Sequence, residues 1–148
     1  NYAKIVRGLK FYGRYMDDIY FICETKEEAM DIISGITEVT ESLGLFVNEK
    51  KTHFVKASET FKYLQIKYWV NDTGKVVKRI NPVSVTRERR KLKAYKRLLD
   101  KGEIPYEDIE QAYKSWMGAY ARLMSKQQVR NMKSLYKDLF GKETRWKR

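Results

Sequence analysis

The spacing of hydrophobic positions changes period several times along the chain, and the elements follow from it. Leu9-Lys10-Phe11-Tyr12-Gly13-Arg14 and Ile19-Tyr20-Phe21-Ile22-Cys23 read as strands on either side of Tyr15-Met16-Asp17-Asp18. The second run is apolar or aromatic on both faces, which predicts a strand covered on both sides. Thr25-Lys26-Glu27-Glu28 has the pattern of a capping box. Ala29, Ile32, Ile33, Ile36, Val39 and Leu43 then repeat at helical spacing up to Gly44, predicting an amphipathic helix with its apolar stripe on a sheet. Leu45-Phe46-Val47 and Thr52-His53-Phe54-Val55 read as strand around the polar Asn48-Glu49-Lys50-Lys51. Phe61 to Val70 reads as a further strand, turned by Asn71-Asp72-Thr73-Gly74 into Lys75–Ile80.

Asn81-Pro82 marks a boundary, because proline removes a ladder donor and stops the strand. From Ser84 to Leu139 only helices fit. The first is expected from about Thr86 to Lys101, before Gly102, with Leu92, Tyr95, Leu98 and Leu99 on one face and Arg89, Arg90, Lys93, Lys96 and Arg97 on the other. The second begins at Pro105, a good first-turn residue, and carries Ile109, Ala112, Tyr113, Trp116, Met117, Tyr120, Leu123 and Met124. The third follows Ser125, with Gln128 completing a capping box, and uses Val129, Met132, Leu135, Tyr136 and Leu139 before Gly141. The fold class is therefore α+β: an antiparallel sheet with one packed helix over residues 1–81, a three-helix bundle over 82–142 and a basic tail over 143–148.

Composition sharpens the division. Of 148 residues, 43% are hydrophobic, enough for a core and unlike a disordered chain. No apolar run approaches the ~18 residues of a membrane span, so no membrane partner is expected. Asn1-Tyr2-Ala3-Lys4 resembles neither a signal peptide nor a start with Met, which suggests a piece of a longer chain. The single Cys23 reads as a core thiol and fits a reducing, cytoplasmic compartment. Residues 1–80 hold 13 Lys+Arg against 11 Asp+Glu, a balance of +2, whereas residues 81–148 hold 18 against 8, a balance of +10. A near-neutral half followed by a strongly basic one points to a polyanionic partner, nucleic acid before an acidic membrane surface.

Asp17 and Asp18 are the candidate chemistry. Asp is a favoured turn residue, so the pair reads as a solvated turn when taken alone. Two adjacent carboxylates at the tip of an apolar hairpin also suit a hard divalent cation, which takes one or two carboxylates plus substrate phosphates.

The order of elements supports the second alternative through a resemblance. Tyr15-Met16-Asp17-Asp18 looks like the catalytic hairpin of reverse transcriptases. Gly44-Leu45-Phe46-Val47-Asn48-Glu49-Lys50-Lys51-Thr52 is similar to the next element of their palm domain, with its Gly-Leu, Asn and Lys-Thr. Phe61-Lys62-Tyr63-Leu64-Gln65-Ile66 falls where they place the primer-grip hairpin, and a basic three-helix bundle is where they place the thumb. The Lys-rich opening of the bundle and Ser115-Trp116-Met117-Gly118 resemble the bacterial diversity-generating, retron and phage-defence branches.

The resemblance implies the C-terminal half of a palm plus a thumb. It implies two-metal nucleotidyl transfer with Mg²⁺ (or Mn²⁺), a DNA primer, an RNA template and deoxynucleoside triphosphates. Asp17 would be the main metal ligand and Asp18 the supporting one. Tyr15 and Met16 would touch the primer terminus, and Lys51 would lie near the triphosphate. Phe61, Tyr63, Leu64 and Gln65 would form the primer grip, and Arg89, Arg90, Lys93, Lys96 and Arg97 would follow the duplex backbone. Trp116, Tyr113 and Tyr120 read as bundle core rather than as stacking platforms.

Gln65 stands where the family usually has glycine, which lets backbone approach the primer. The third carboxylate and the fingers of such enzymes are not expected in the residues before Tyr15, so the fragment alone is expected to be inactive. A half-palm would leave sheet surface uncovered, and dimerisation or strand exchange of the fragment is expected from that. The alternatives of other classes are a non-catalytic RNA-binding module that keeps the hairpin as scaffold, and a signalling cyclase, against which the basic helical half argues.

Overall fold

The computed structural model describes residues 2–144; the last four residues of the expected basic tail lie outside the described residues. By packing, the chain forms two compact units, Asn1–Val55 and Lys56–Arg148.

The first unit begins with a π-helical turn, Tyr2–Val6, followed by β1 (Tyr12–Tyr15), β2 (Asp18–Phe21) and α1 (Lys26–Ser42). β1 and β2 pair antiparallel as a two-stranded sheet, with Tyr12 opposite Phe21 and Tyr15 opposite Asp18. Gly13 lies opposite Tyr20, and the Tyr20 ring occupies the space where a side chain at 13 would stand. The strand pattern is thus as expected, but its burial is not. Ile19 and Tyr20 are exposed, because among the described residues no third strand pairs with either side of this hairpin.

The Thr25 side chain accepts from the Glu28 N–H at 3.1 Å and caps α1. The return bond of the expected box is displaced by one residue, since the Glu28 carboxylate accepts from the Glu24 N–H at 3.0 Å. At the other end Gly44 adopts φ +73; its N–H bonds to Glu41 O and that of Leu45 to Thr40 O, both at 2.9 Å, a Schellman closure that glycine favours. Within the unit α1 lies against the Tyr2–Val6 turn, and Asp31 of α1 is ion-paired to Arg7, the residue after that turn.

Residues 45–55 correct the expectation of strands. Glu49–Lys51 is a short 3₁₀ turn, and Leu45, Phe46, Phe54 and Val55 are exposed. A strand needs a partner for its ladder, and among the described residues none of the strands pairs with this segment. The buried hydrophobic side chains of this unit are Ala3, Ala29 and Ile32, while Phe46 stands 84% exposed. Cys23 lies beyond β2, half-buried rather than in a core, with its thiol donating to Thr25 O at 3.4 Å; burial pushes its pKa up.

The second unit carries the larger core. β3 (Phe61–Tyr63), β4 (Ile66–Val70) and β5 (Val76–Ile80) form an antiparallel meander, followed by α2 (Pro82–Asp100), α3 (Tyr106–Tyr120), a 3₁₀ turn at Ala121–Leu123 and α4 (Lys126–Phe140). The run read as one strand over 61–70 is two strands, broken at Leu64-Gln65, where both residues have positive φ. Asn71 Oδ1 organises the next turn by accepting from the N–H groups of Thr73 and Lys75. α2 starts a full turn earlier than expected, because Asn81 caps it by accepting from the Val83 N–H at 3.3 Å and Pro82 fills the first turn. Ser125 and Gln128 form the complete capping box of α4, with bonds of 3.1 and 2.9 Å.

The core of this unit joins Ile80 of β5 to Leu92, Ile109, Tyr113, Met117, Met132 and Tyr136. The rings of Tyr113 and Tyr136 stack at 4.2 Å, and Tyr136 Oη lies 3.2 Å from Tyr106 Oη. Burial pushes the Tyr136 and Tyr113 hydroxyls up, so both stay neutral. Trp116 and Tyr120 are half-buried and tilted on each other at 5.5 Å, packed against this core.

One polar pair is out of place there. Glu88 on α2 is only 4% exposed, and its Oε1, like Tyr113 Oη, has no hydrogen-bond partner. Desolvation pushes the Glu88 carboxyl above its ordinary value of 4.5, while nearby Lys91 opposes the shift. A raised carboxyl pKa means that the folded state holds the proton more tightly than the unfolded one. Stability is therefore greatest below about pH 4.5 as far as this group is concerned, and is lost as pH rises through its folded value. Glu88→Gln is expected to raise the melting temperature at neutral pH, with the advantage shrinking as pH is lowered toward 4.5; an equal advantage at both ends of the pH series would contradict this.

Candidate functional site

The first group of candidate residues sits on the β1–β2 hairpin. The register pairs Tyr15 with Asp18, so Met16 and Asp17 are the two residues of the turn and Asp18 is the first of β2. Met16 adopts φ +50, a conformation unusual for a residue with a side chain, and the Arg14 guanidinium donates to its carbonyl at 2.8 Å. Two-residue hairpin turns need positive φ to match strand twist, so the tight turn itself imposes the strain on Met16. The outcome is a tip on which Tyr15, Met16, Asp17 and Asp18 are all exposed. Asp17 makes no ion pair among the described residues. Two hard oxygen donors at an exposed hairpin tip fit a divalent cation that completes its shell from phosphates and water. Among the described residues, no group of three or more His, Cys, Asp or Glu gathers as a closed metal site. Lys51 lies outside this hairpin, exposed at the end of the 3₁₀ turn.

The second group sits in the other unit. Phe61 and Tyr63 belong to β3, and Leu64 and Gln65 form the turn into β4, with φ of +48 and +67. A type I′ geometry of this kind favours Asn-Gly, because a Cβ in the left-handed region costs roughly 1–2 kcal/mol per residue. Gln65 is held there by contacts at both ends. Its carbonyl accepts from the Asn81 N–H at 2.9 Å, and its side-chain Oε1 accepts from Ser84 Oγ at 2.7 Å. These residues thus form a tight hairpin, with a side-chain amide bond where glycine would otherwise relieve the backbone.

On α2, Arg89, Arg90, Lys93 and Arg97 are exposed. Lys96 differs: it is half-buried and ion-paired to Asp100 one turn on.

Sequence reasoning passed over a third set. Cross-strand pairing sets Lys62 opposite Lys67, and Lys67 opposite Arg79. With side chains alternating along each strand, these three cations and Trp69 share one sheet face. Phe61, stacked on Tyr68 at 5.3 Å, stands on the other face. The signal was the alternation itself, which becomes readable only once the turn is placed at Leu64-Gln65.

Residues 2–68 match the family model of reverse transcriptase (RNA-dependent DNA polymerase). The match supports a reverse transcriptase fragment over these residues. The matched residues take in the Tyr15–Asp18 hairpin, α1, the Lys51 turn and the β3–β4 hairpin up to Tyr68. No curated protein and no solved structure matches the chain. No helix among the described residues is long and apolar enough to cross a membrane.

The Gln65–Ser84 bond gives a direct test of how the β3–β4 hairpin tolerates a non-glycine turn. Ser84→Ala is expected to lower stability by about 0.5–1.5 kcal/mol, the usual net worth of one hydrogen bond. Gln65→Gly should be nearly neutral in the wild-type chain, where the relieved strain offsets the missing bond, and stabilising on the Ser84→Ala background. Denaturant melts of the four proteins check the cycle; additive effects would mean that the bond does not hold the turn.

Proposed function

We propose that the chain supplies the catalytic hairpin, primer-grip hairpin and duplex-following helix of an RNA-directed DNA polymerase of bacterial type. In this reading it extends a DNA primer on an RNA template with deoxynucleoside triphosphates, in an intracellular setting. The observation that carries it is the tip of the β1–β2 hairpin, where Asp17 occupies the turn and Asp18 opens β2, both exposed. It is supported by the family match over the same residues.

Asp17 and Asp18 would hold Mg²⁺ (or Mn²⁺), which supplies charge stabilisation for the attacking and leaving oxygens of in-line phosphoryl transfer. The chain's own contribution is positional. The two-residue turn fixes where the carboxylates stand relative to Tyr15 and Met16, the side chains assigned to the primer terminus. Lys51 would place a cation by the triphosphate. The β3–β4 hairpin, braced by Ser84 through Gln65, would orient the primer strand. Arg89, Arg90, Lys93 and Arg97, exposed along α2, would follow the duplex phosphates, a sequence-independent contact weakened by salt. Lys96 would take a lesser share because Asp100 neutralises it.

With two carboxylates on the hairpin, the full metal site would take a further ligand from a longer protein, and this fragment would not extend primers by itself. The exposed Ile22, Leu43, Leu45 and Phe46 favour the same view, since apolar surface of this kind calls for a cover. In isolation it would also promote dimerisation.

In a longer protein containing this chain, Asp17→Ala is expected to reduce Mg²⁺-dependent primer extension by about a hundredfold or more, as metal charge stabilisation is worth several kcal/mol. Arg90→Gln with Arg97→Gln should instead weaken duplex binding and flatten its salt dependence by about 0.9 for each phosphate no longer neutralised, on the B-DNA scale. Extension that survives Asp17→Ala, beside RNA binding that disappears in the arginine variants, would establish a non-catalytic RNA-binding module in place of a polymerase. Templated extension by the isolated chain would refute the need for a further ligand.

A further inference from the structure

The β3–β5 sheet has two unlike faces. One carries Phe61, Tyr68 and Ile80, the last of them in the bundle core. The other aligns Lys62, Lys67 and Arg79 across the three strands, each directly opposite the next, with Trp69 beside Lys67 on β4 and opposite Val77. Like charges placed directly opposite each other oppose strand pairing. None of the three cations makes an ion pair among the described residues; Arg79 Nη1 donates to the neighbouring Lys78 carbonyl at 3.3 Å, which leaves its charge uncompensated. A row of such cations works against the sheet it stands on unless an anion lies across it.

The same face is concave. Lys67, Trp69 and Arg79 line an open pocket of about 340 Å³, together with Thr60, Pro82, Gln128 and Ile80 at the end of β5. Lys67 and Trp69 are half-buried, whereas Arg79 and Lys62 reach solvent. An indole beside a row of cations in an open groove suits a ligand with both a π-face and a phosphate. Repeated units of that kind make up a nucleic-acid strand whose bases are unpaired, and bases stack on aromatic side chains only when they are not already stacked in a duplex.

We propose that this face is a second nucleic-acid site, which holds single-stranded nucleic acid with a base on Trp69 and successive phosphates on Lys62, Lys67 and Arg79. It is separate from the primer-grip assignment, because Phe61 and Tyr63 stand on the opposite face of the sheet. It is also separate from the α2 cations, which would follow a duplex. The site adds a place for a strand beyond the duplex and does not depend on catalysis at Asp17 and Asp18.

The test is the binding of a labelled oligothymidylate to the full chain by fluorescence anisotropy across a salt series. Lys67→Gln with Arg79→Gln is expected to weaken binding and to reduce the salt slope by about 0.7 for each phosphate no longer neutralised. Its melting temperature should be unchanged or raised, since the opposed charges are gone. Trp69→Ala should weaken binding by about tenfold or more, and Trp69→Phe, which preserves packing, should keep most of the affinity. An abasic strand with the same phosphates should compete poorly. Undiminished binding in the Lys67/Arg79 variant would overturn the site, and an abasic strand that competes as well as oligothymidylate would overturn the stacking. Loss of oligothymidylate binding in the Arg90/Arg97 variant alone would place the strand on α2 and refute the proposal. Failure here leaves the Asp17→Ala test of polymerase function untouched, so the two can be told apart.

Discussion

The second unit depends on what happens at Gln65. Its backbone is in the left-handed region, its carbonyl accepts from Asn81 and its side chain accepts from Ser84. Asn81 is at once the residue after β5 and the cap of α2. Through these two bonds the tip of one hairpin, the end of the sheet and the first turn of the leading helix are a single connected piece. Ile80, adjacent to Asn81, then enters the bundle core. A substitution that freed Gln65 would loosen the sheet, the cap and the seat of Ile80 together.

The two units differ in how far their apolar residues find one another. In the second, three helices and a meander enclose a core of stacked aromatics around Tyr113 and Tyr136, tight enough to strand Glu88 without a partner for its Oε1. In the first, the buried hydrophobic side chains are Ala3, Ala29 and Ile32, and Ile19 and Tyr20 of the Tyr15–Asp18 hairpin lie exposed. That contrast suits a chain in which one part is built on itself and the other is built to be completed.

The helical half is legible because its signals are local. Apolar spacing of 3.6, Ser125 with Gln128, Pro105 and Gly141 locate three helices with little help from tertiary structure. The start of α2 is harder to place because Asn81-Pro82 reads as the end of a strand, when the same two residues also cap and open a helix. The Leu64-Gln65 turn is hidden because neither residue is a turn former; contacts from residues 81 and 84 hold it, and such distant partners leave no mark nearby. Leu45-Phe46-Val47 shows a different limit. Apolar triplets state that a segment can be covered, but not that the cover lies within the same stretch of chain. For the site, Asp17 and Asp18 are legible as a hairpin tip, and the exposure of the whole hairpin is not.

The chain's methionines fall into two chemical populations. Met117, Met124 and Met132 are sealed in the helical core, whereas Met16 stands 73% exposed at the tip of the turn and Met30 projects from α1. Thioethers oxidise in order of access, and the sulfoxide is polar and bulkier. Mild peroxide would therefore mark the acidic hairpin while sparing the bundle, turning a strained, solvent-facing side chain into an oxidation-sensitive spot beside the two carboxylates.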